Sequence, residues 1–229
     1  MSTIAVILAG GSGERFGKAL PKQFCIINGR SLLEICLEHF QGHPGIDAIV
    51  LVCPGAQLPL ARETVAAGCL AKVKEILAGG KTRQESSYIG IMAAPSAAEN
   101  ILIHDAARAL VGPALIGRVL EALTGAMAVM PALPAGDTIV RTDEEAMVSA
   151  VLDRAKLRLV QTPQGFKAKI IRQAHEMARS EGFSEAGDDC SLVLRYRLAP
   201  VLTVEGDPGN IKITYPQDLA IAEAILKNR

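Results

Sequence analysis

The chain has 229 residues, enough for one large domain with a full hydrophobic core. Hydrophobic residues make up 49% and charged residues 21%, a composition that excludes a disordered chain. Lysine plus arginine equals aspartate plus glutamate at 24 each, and this zero net charge argues against a nucleic-acid binder, whose affinity depends on excess positive charge. No apolar run approaches the roughly 20 residues of a membrane helix, so we expect no membrane association.

The cysteines and histidines form no pattern typical of a disulfide framework or a zinc site. The five cysteines are widely spread and never occur as a C-x-x-C pair, and the four histidines lack metal-ligand spacing. Because disulfides persist mainly in oxidising compartments, we expect reduced thiols and a cytoplasmic location.

The first predicted element is a buried strand that runs into a glycine-rich loop. Residues 4–8 are an unbroken apolar run, short enough for one strand of a parallel sheet. Gly10, Gly11 and Gly13 follow, and such a loop lets backbone N–H groups surround an anion, usually a phosphate. The same stretch holds three cations: Arg15, Lys18 and Lys22. A phosphate site is therefore favoured over a turn that only connects a strand to a helix.

Spacing separates three kinds of phosphate loop. A Walker loop fails because its first glycine position falls on Ser12 and because Ala19 follows the lysine. A dinucleotide fingerprint fails because Phe16 replaces its third glycine and the next strand ends in Cys53, with no carboxylate for a ribose. The remaining pattern, Leu-Ala-Gly-Gly-x-Gly-x-Arg and then Pro-Lys-Gln, resembles the signature loop of nucleotidyltransferases that join a nucleoside triphosphate to a phosphorylated sugar or polyol.

Strands and helices alternate from this loop to residue 131. Ser31 and Glu34 form a capping box that opens a helix to Phe40. We predict strands over 48–52, 72–77, 101–104 and 126–131, and helices over 57–67, 83–94 and 113–123. This order predicts a doubly wound, mostly parallel α/β sheet of Rossmann-like type, with ligands at the carboxyl ends of its strands. Asp105 stands at one such end, where it is expected to serve as a metal ligand or a helix N-cap.

The alternation changes between about 134 and 164. Short β-prone pieces over 138–141 and 147–152 flank an acidic turn, which predicts a β-hairpin arm set apart from the sheet. Helices are predicted over 167–182 and 188–196, strands over 201–204 and 210–214, and a last helix to 227. The chain is therefore expected to be one domain, 1–229, with an arm.

Short blocks spread over nearly the whole chain resemble a single family. They are the Gly10 loop, Pro21-Lys22-Gln23, Gly79-Gly80-x-x-Arg83-x-x-Ser86, His104-Asp105-Ala106-Ala107-Arg108, Asp137-Thr138, Asp153-Arg154, Thr162-Pro163-Gln164 and Asn210-Ile211-Lys212. Together they are similar to the 2-C-methyl-D-erythritol 4-phosphate cytidylyltransferases of non-mevalonate isoprenoid synthesis. The resemblance implies that a phosphate oxygen of the acceptor attacks the α-phosphate of CTP and expels pyrophosphate.

The resemblance also implies a role for each candidate site residue. Arg15 and Lys22 would carry the transition-state charge, while Arg154 and Lys212 complete the catalytic set by holding the acceptor with Thr138. Asp105 would bind Mg²⁺. The remaining substrate contacts would be Ala9, Gly10, Gly11, Gly13, Gly80, Arg83, Ser86, Ala106, Arg108 and Thr162. The family further implies a homodimer in which the arm serves the neighbour's active site.

Two departures from the family pattern leave the acceptor open. Ala109 stands where proline is usual, and Gly187 stands where threonine is usual. Relatives that activate ribitol 5-phosphate generally carry His-Asp-Ser-Val-Arg where this chain has His-Asp-Ala-Ala-Arg, so methylerythritol phosphate is favoured. A non-catalytic nucleotide-binding regulator is the remote alternative, because it would not need Arg15, Lys22, Asp105 and Lys212 together.

Overall fold

The computed structural model describes residues 2–10 and 21–228. Within them the strands are β1 (Thr3–Leu8), β2 (Ile26–Ile27), β3 (Arg30–Ser31), β4 (Ala48–Cys53), β5 (Val73–Ala78), β6 (Asn100–Asp105), β7 (Ala128–Pro134), β8 (Val140–Thr142), β9 (Val148–Val151), β10 (Arg158–Val160), β11 (Gln164–Lys167) and β12 (Val201–Glu205). The α-helices are α1 (Leu32–Gly42), α2 (Leu58–Ala67), α3 (Arg83–Ala93), α4 (Pro113–Ala122), α5 (Ala168–Ser180), α6 (Asp189–Arg195) and α7 (Asp218–Lys227).

An eight-stranded sheet forms the centre of the molecule. Its order is β10-β7-β11-β6-β1-β4-β5, and β12 also pairs with β7. β1 runs parallel to both β4 and β6, β4 runs parallel to β5, and β12 runs parallel to β7. β11 is antiparallel to both of its neighbours, β6 and β7. The predicted doubly wound, mostly parallel α/β fold is therefore confirmed.

Helices cover both faces of this sheet because successive strand residues point to opposite sides. On one face, Ala5 and Ile7 of β1 join a core with buried residues of α1 and α4. On the other face, Ile4 and Val6 join a second core with residues of α3, α5 and α6. In the second core α3 packs especially close to β1, because a Cβ at Gly90 of α3 would overlap the Val6 side chain. The unbroken apolar run of β1 follows from this burial on both sides.

Caps at two helix starts agree with the local sequence. The Oγ of Ser31 accepts a hydrogen bond from the N–H of Glu34, whose carboxylate accepts from the N–H of Ser31, so the predicted capping box is confirmed. Asp188 caps α6 by accepting from the N–H of Ser191 at 2.8 Å. Such caps satisfy donors that the first helical turn cannot pair internally.

Several segments differ from the sequence predictions, among them the short strands β2 and β3, which were not predicted. Residues 210–214 form no strand, so that prediction is wrong; the segment instead follows an irregular path. The strands β10 and β11 were not predicted. Gln164 of β11 is buried because its amide bonds with the Asp188 carboxylate and with the N–H of Asp189 and Cys190.

The hairpin of β8 and β9 forms its own two-stranded sheet, separate from the central one. The separate sheet covers 140–151 of the predicted arm at 134–164, since β10 and the start of β11 belong to the central sheet. None of the helices in the described part of the chain combines the length and apolar character needed to span a membrane.

Candidate active site

A cavity of about 480 Å³ opens at the carboxyl ends of β1, β5 and β6. Parallel strands end at the same edge of a sheet, so the residues that follow them converge there. The described residues that line the cavity are Leu8, Gly10, Lys22, Pro54, Gln57, Gly79, Gly80, Lys81, Thr82, Arg83, Ser86, Asp105, Ala107 and Lys212.

The charge of this lining suits a polyanion. Lys22, Lys81, Arg83 and Lys212 are cationic, and Asp105 is the only carboxylate among the described lining residues. Positive charge gathered in a cleft raises the local concentration of anionic ligands. A nucleoside triphosphate is an anion of the right class for this cavity.

Asp105 forms the centre of the charged groups. One carboxylate oxygen accepts from Arg83 Nε at 3.0 Å, and the other accepts from Lys212 Nζ at 2.8 Å. Burial alone would raise the pKa of Asp105, but Arg83 and Lys212 outweigh it and lower the pKa to about 2. Asp105 is therefore ionised at neutral pH.

Lys22 and its neighbour Gln23 each make a hydrogen bond that holds this segment beside the cavity. Lys22 begins a short 3-10 helix, Lys22–Phe24, and its Nζ donates to the backbone carbonyl of Ile213 at 3.1 Å. The neighbouring Gln23 donates through Nε2 to the carbonyl of Ala9 at 2.8 Å. The Pro-Lys-Gln block thus links the end of β1 to the segment that carries Lys212.

The turn before α3 lines the same cavity through Gly80, Lys81 and Thr82. Thr82 caps α3, and the Oγ of Ser86 accepts from the N–H of Gly80 at 3.2 Å. A Cβ at Gly80 would overlap the side chain of Glu85, so the turn requires glycine there. The N-terminus of α3 therefore faces the cavity, where the helix dipole favours an anion.

A buried hydrogen-bond chain supports Asp105 from behind. His104 Nε2 lies 3.1 Å from the carbonyl of Arg108, which fixes Nε2 as the donor. Nδ1 must then accept from the hydroxyl of Thr162 at 2.9 Å, and that hydroxyl accepts from the N–H of Asp105 at 3.2 Å. Burial, opposed only partly by Asp105, lowers the pKa of His104 to about 3. The imidazole is therefore neutral and acts as a rigid connector.

The structure brings seven of the predicted site residues to the cavity: Gly10, Lys22, Gly80, Arg83, Ser86, Asp105 and Lys212. Ala106 is fully buried and its N–H donates a hydrogen bond to the carbonyl of Leu8. Ala9 is 2% exposed. Arg108 donates to the carbonyls of Asn210 and Val160 at 2.9 and 3.1 Å. These side chains and Thr162 thus form the supporting layer beneath the cavity.

The remaining predicted residues lie elsewhere. Thr138 and Arg154 are exposed and do not line the cavity of their own chain; Arg154 donates to the carbonyl of Gly136 at 3.1 Å. Gly11, Gly13 and Arg15 lie outside the described residues, as does Lys18.

Sequence reasoning missed other members of the site. Lys81 and Gln57 line the cavity, and Asp189 binds Arg83 from below at 2.8 Å. The position of Lys81 inside the Gly79-Gly80 block could have identified it. Asp189 stands far along the chain from Arg83 and gave no comparable signal.

Comparisons with known proteins agree with this geometry. The sequence model of 2-C-methyl-D-erythritol 4-phosphate cytidylyltransferase matches residues 3–228. A protein of that name from Thermobifida fusca is 42% identical, covering 97% of this chain and 92% of its own. The crystal structure of 4-diphosphocytidyl-2C-methyl-D-erythritol synthase from Anaerococcus prevotii superposes with a TM-score of 0.86 at 28% identity, covering 99% and 96% of the two chains.

A second solved structure gives the same result at higher identity. The 2-C-methyl-D-erythritol 4-phosphate cytidylyltransferase of Thermus thermophilus is 37% identical with a TM-score of 0.79, covering 99% of this chain and 100% of its own. With the family match extending over almost every residue, the chain belongs to the 2-C-methyl-D-erythritol 4-phosphate cytidylyltransferase family.

Proposed function

We propose that this protein transfers the cytidylyl group of CTP to 2-C-methyl-D-erythritol 4-phosphate and releases pyrophosphate. The observation that carries the proposal is the cavity at the strand ends, which is lined by four cations and one ionised carboxylate. The product is 4-diphosphocytidyl-2-C-methyl-D-erythritol, a precursor in the non-mevalonate route to isoprenoids.

The reaction joins two anions, so charge is its main obstacle. A phosphate oxygen of the acceptor forms a bond to the α-phosphorus of CTP, and the bond from that phosphorus to the bridging oxygen of pyrophosphate breaks. Negative charge spreads over the phosphoryl oxygens as this happens, and fixed cations stabilise it. Lys22, held by the carbonyl of Ile213, and Arg15, which precedes it in the sequence, are assigned to that charge.

Lys212 and Asp105 would act on the acceptor side. Lys212 Nζ is paired with Asp105 at 2.8 Å, while 46% of the lysine side chain stays exposed. The ammonium group has three donors and uses one on Asp105, so it can also bind an acceptor phosphate. Such a contact orients the attacking oxygen, and correct orientation lowers the entropic part of the barrier.

Mg²⁺ fits this site as a partner of the nucleotide phosphates. No cluster of three or more His, Cys, Asp or Glu residues that could hold a metal occurs among residues 2–10 and 21–228, so these residues would bind a metal together with substrate oxygens. Mg²⁺ typically takes one or two carboxylates together with substrate phosphates. Asp105 would be that carboxylate, since its oxygens offer about four lone-pair positions and Arg83 and Lys212 use two. The bound metal would neutralise phosphate charge.

The arm supports a homodimer as part of the proposal. Met147, Val148 and Val151 are 66%, 60% and 69% exposed, an unusual density of apolar surface on one short hairpin. A second copy related by a two-fold axis would cover these side chains. The same contact would carry Thr138 and Arg154 of each chain towards the other chain's cavity. A cytoplasmic location completes the proposal and rests on the five cysteines, which form no disulfide.

Pyrophosphate release from CTP tests the reaction and the acceptor together. The purified protein should release pyrophosphate with Mg²⁺ and methylerythritol phosphate, and mass spectrometry should detect the cytidyl product. Ribitol 5-phosphate, assayed in parallel, should react with a kcat/KM at least about tenfold lower. A higher rate with ribitol 5-phosphate would replace the proposed acceptor. No release with either acceptor would refute the transfer reaction.

A further inference from the structure

Two carboxylates hold Arg83 in the cavity wall. Its Nε donates to Asp105 at 3.0 Å and its Nη1 donates to Asp189 at 2.8 Å. Nη2 donates no hydrogen bond to another described residue, and Arg83 lines the cavity. Because the guanidinium is planar, two anchors fix the direction in which the remaining donors point.

Asp189 is itself held from three sides inside the protein. Its side chain is 1% exposed, and one oxygen accepts from the hydroxyl of Ser87 and from His175 Nε2, the latter at 2.9 Å. The other oxygen accepts from Arg83. Burial alone would raise the pKa of Asp189, but Arg83 and His175 outweigh it and lower the pKa. The Asp189 carboxylate is thus ionised and held in one orientation by these three hydrogen bonds.

The Ser87, His175 and Asp189 cluster is not a hydrolytic triad. In such a triad the imidazole lies between the serine and the carboxylate and accepts the serine proton. Here Ser87 and His175 both donate to the same oxygen of Asp189. Ser87 is also completely buried, so it offers no nucleophile to a substrate. The arrangement orients a carboxylate and does not activate a hydroxyl.

We propose that Asp189 is a positioning residue for nucleotide transfer, acting through Arg83. Ser87 and His175 fix the carboxylate, the carboxylate fixes the guanidinium plane, and the remaining edge of Arg83 is presented to the phosphates of CTP. This inference rests on the proposed function. It adds a buried layer from α3, α5 and α6 to a site otherwise built at the strand ends.

A double-mutant cycle tests whether Asp189 acts through Arg83. Asp189→Asn keeps the side-chain size and removes the charge, and should lower kcat/KM for CTP by about 30-fold; Arg83→Ala should lower it by about 100-fold. If Asp189 works only by orienting Arg83, the double variant should be no worse than Arg83→Ala alone. Losses that multiply in the double variant would overturn the proposal.

Asp188→Asn is the matched control for Asp189→Asn. Asp188 adjoins Asp189 and caps α6, but its recorded contacts are with Ser191 and Gln164. Asparagine is also a good cap, so this variant should keep near-normal kcat/KM. Thermal unfolding of every variant separates catalysis from stability. An Asp189→Asn protein with a lower melting temperature but unchanged kcat/KM would make Asp189 purely structural.

Ser87→Ala keeps the test decisive if Asp189→Asn does not fold. It removes one hydrogen bond to Asp189 and should lower kcat/KM for CTP by about threefold, an effect that should vanish in the Arg83→Ala background. An equal loss in both backgrounds would refute the proposal. Calorimetric titration of the wild-type protein with CTP separates this proposal from the reaction itself. A protein that neither binds CTP nor releases pyrophosphate refutes the proposed function; one that does both, with an additive cycle, refutes only the role of Asp189.

Discussion

The cavity and the hairpin arm differ in how far their side chains find partners within the chain. At the cavity the central charged groups pair within one chain: Asp105 pairs with Arg83 and Lys212, and the buried Asp189 beneath it, 1% exposed, also pairs with Arg83. On the arm, Val148 and Val151 are 60% and 69% exposed, and Arg154 donates to the nearby backbone carbonyl of Gly136. The charged groups of the cavity are therefore organised within one chain. Under the proposed function, the acceptor half would add Thr138 and Arg154 from a second copy to Lys212 and Asp105.

The largest effect should come from the cations of the nucleotide half. Lys22→Ala and Arg15→Ala should each lower kcat by about 100-fold or more, because a preorganised cation is lost where charge gathers in the transition state. Steady-state pyrophosphate release measures the loss. Lys74→Ala, which removes an exposed lysine of β5, is the control and should have no effect. Near-normal turnover in both site variants would refute the assignment of transition-state charge to the first loop.

A second effect should appear in the metal dependence. Asp105→Asn keeps the shape of the side chain but removes its charge, so the Mg²⁺ concentration for half-maximal activity should rise by on the order of 30-fold. A Mg²⁺ titration of the variant beside Glu75→Gln, an exposed carboxylate of β5, measures this. An unchanged titration would place the metal on the CTP phosphates alone.

The arm should act on the acceptor and not on the nucleotide. Arg154→Ala should raise KM for the acceptor phosphate by about tenfold and leave KM for CTP unchanged, because a charge-assisted hydrogen bond is lost on one side of the reaction only. Initial rates with each substrate varied in turn measure the two constants. Arg158→Ala is the matched control, since the side chain of that arginine donates to the carbonyls of Ala155 and Leu157 in its own segment.

Mixing variants tests whether the arm serves its neighbour. Arg15→Ala and Arg154→Ala proteins should each be weakly active, and their mixture should regain activity, because one site of each heterodimer keeps both arginines. Native mass spectrometry must first demonstrate subunit exchange. With exchange established, a mixture that gains nothing would mean that Arg154 acts within its own chain, and the two-region comparison would fail.

A further effect concerns the stability of the protein and depends on the buried His104. The pKa of His104 is about 3 in the folded protein and about 6.5 in an unfolded chain, so the unfolded state takes up the proton first as pH falls. Stability from neutral His104 is therefore complete above pH 6.5 and is lost towards pH 3, with a slope of at most about 1.4 kcal/mol per pH unit. Urea unfolding at several pH values should show a shallower slope for His104→Gln. Identical slopes would contradict the assignment.

The sequence predicted the parts of the fold that depend on local patterns. The apolar run of β1 and the capping box of α1 were recognisable because burial on two faces and helix capping leave local signatures. β11 was missed because its polar Gln164 is accommodated by distant partners in α6. The predicted strand over 210–214 was wrong, since alternating apolar residues there meet no strand partner.

The candidate site, like the fold, was predictable where its residues belong to local sequence patterns. Residues at strand ends, such as Asp105, and residues in glycine-rich turns, such as Arg83, are placed by topology and could be named from motifs. Asp189 and His175 could not, because their contacts depend on how α3, α5 and α6 pack against each other. Arg108, which is predicted to touch substrate, donates to the backbone carbonyls of Asn210 and Val160, and these contacts depend on the folded path of residues 160–210.

The position of β11 has a consequence for biosynthesis. β11 lies between β6 and β7, yet the ribosome makes it only after the whole hairpin has been translated. Until then β6 has an open edge, and translation at several residues per second keeps that edge exposed for seconds. An apolar strand with unpaired backbone groups is a template for aggregation. The nascent chain should therefore need shielding during this interval, and a fragment that stops short of residue 164 should be recovered as aggregate.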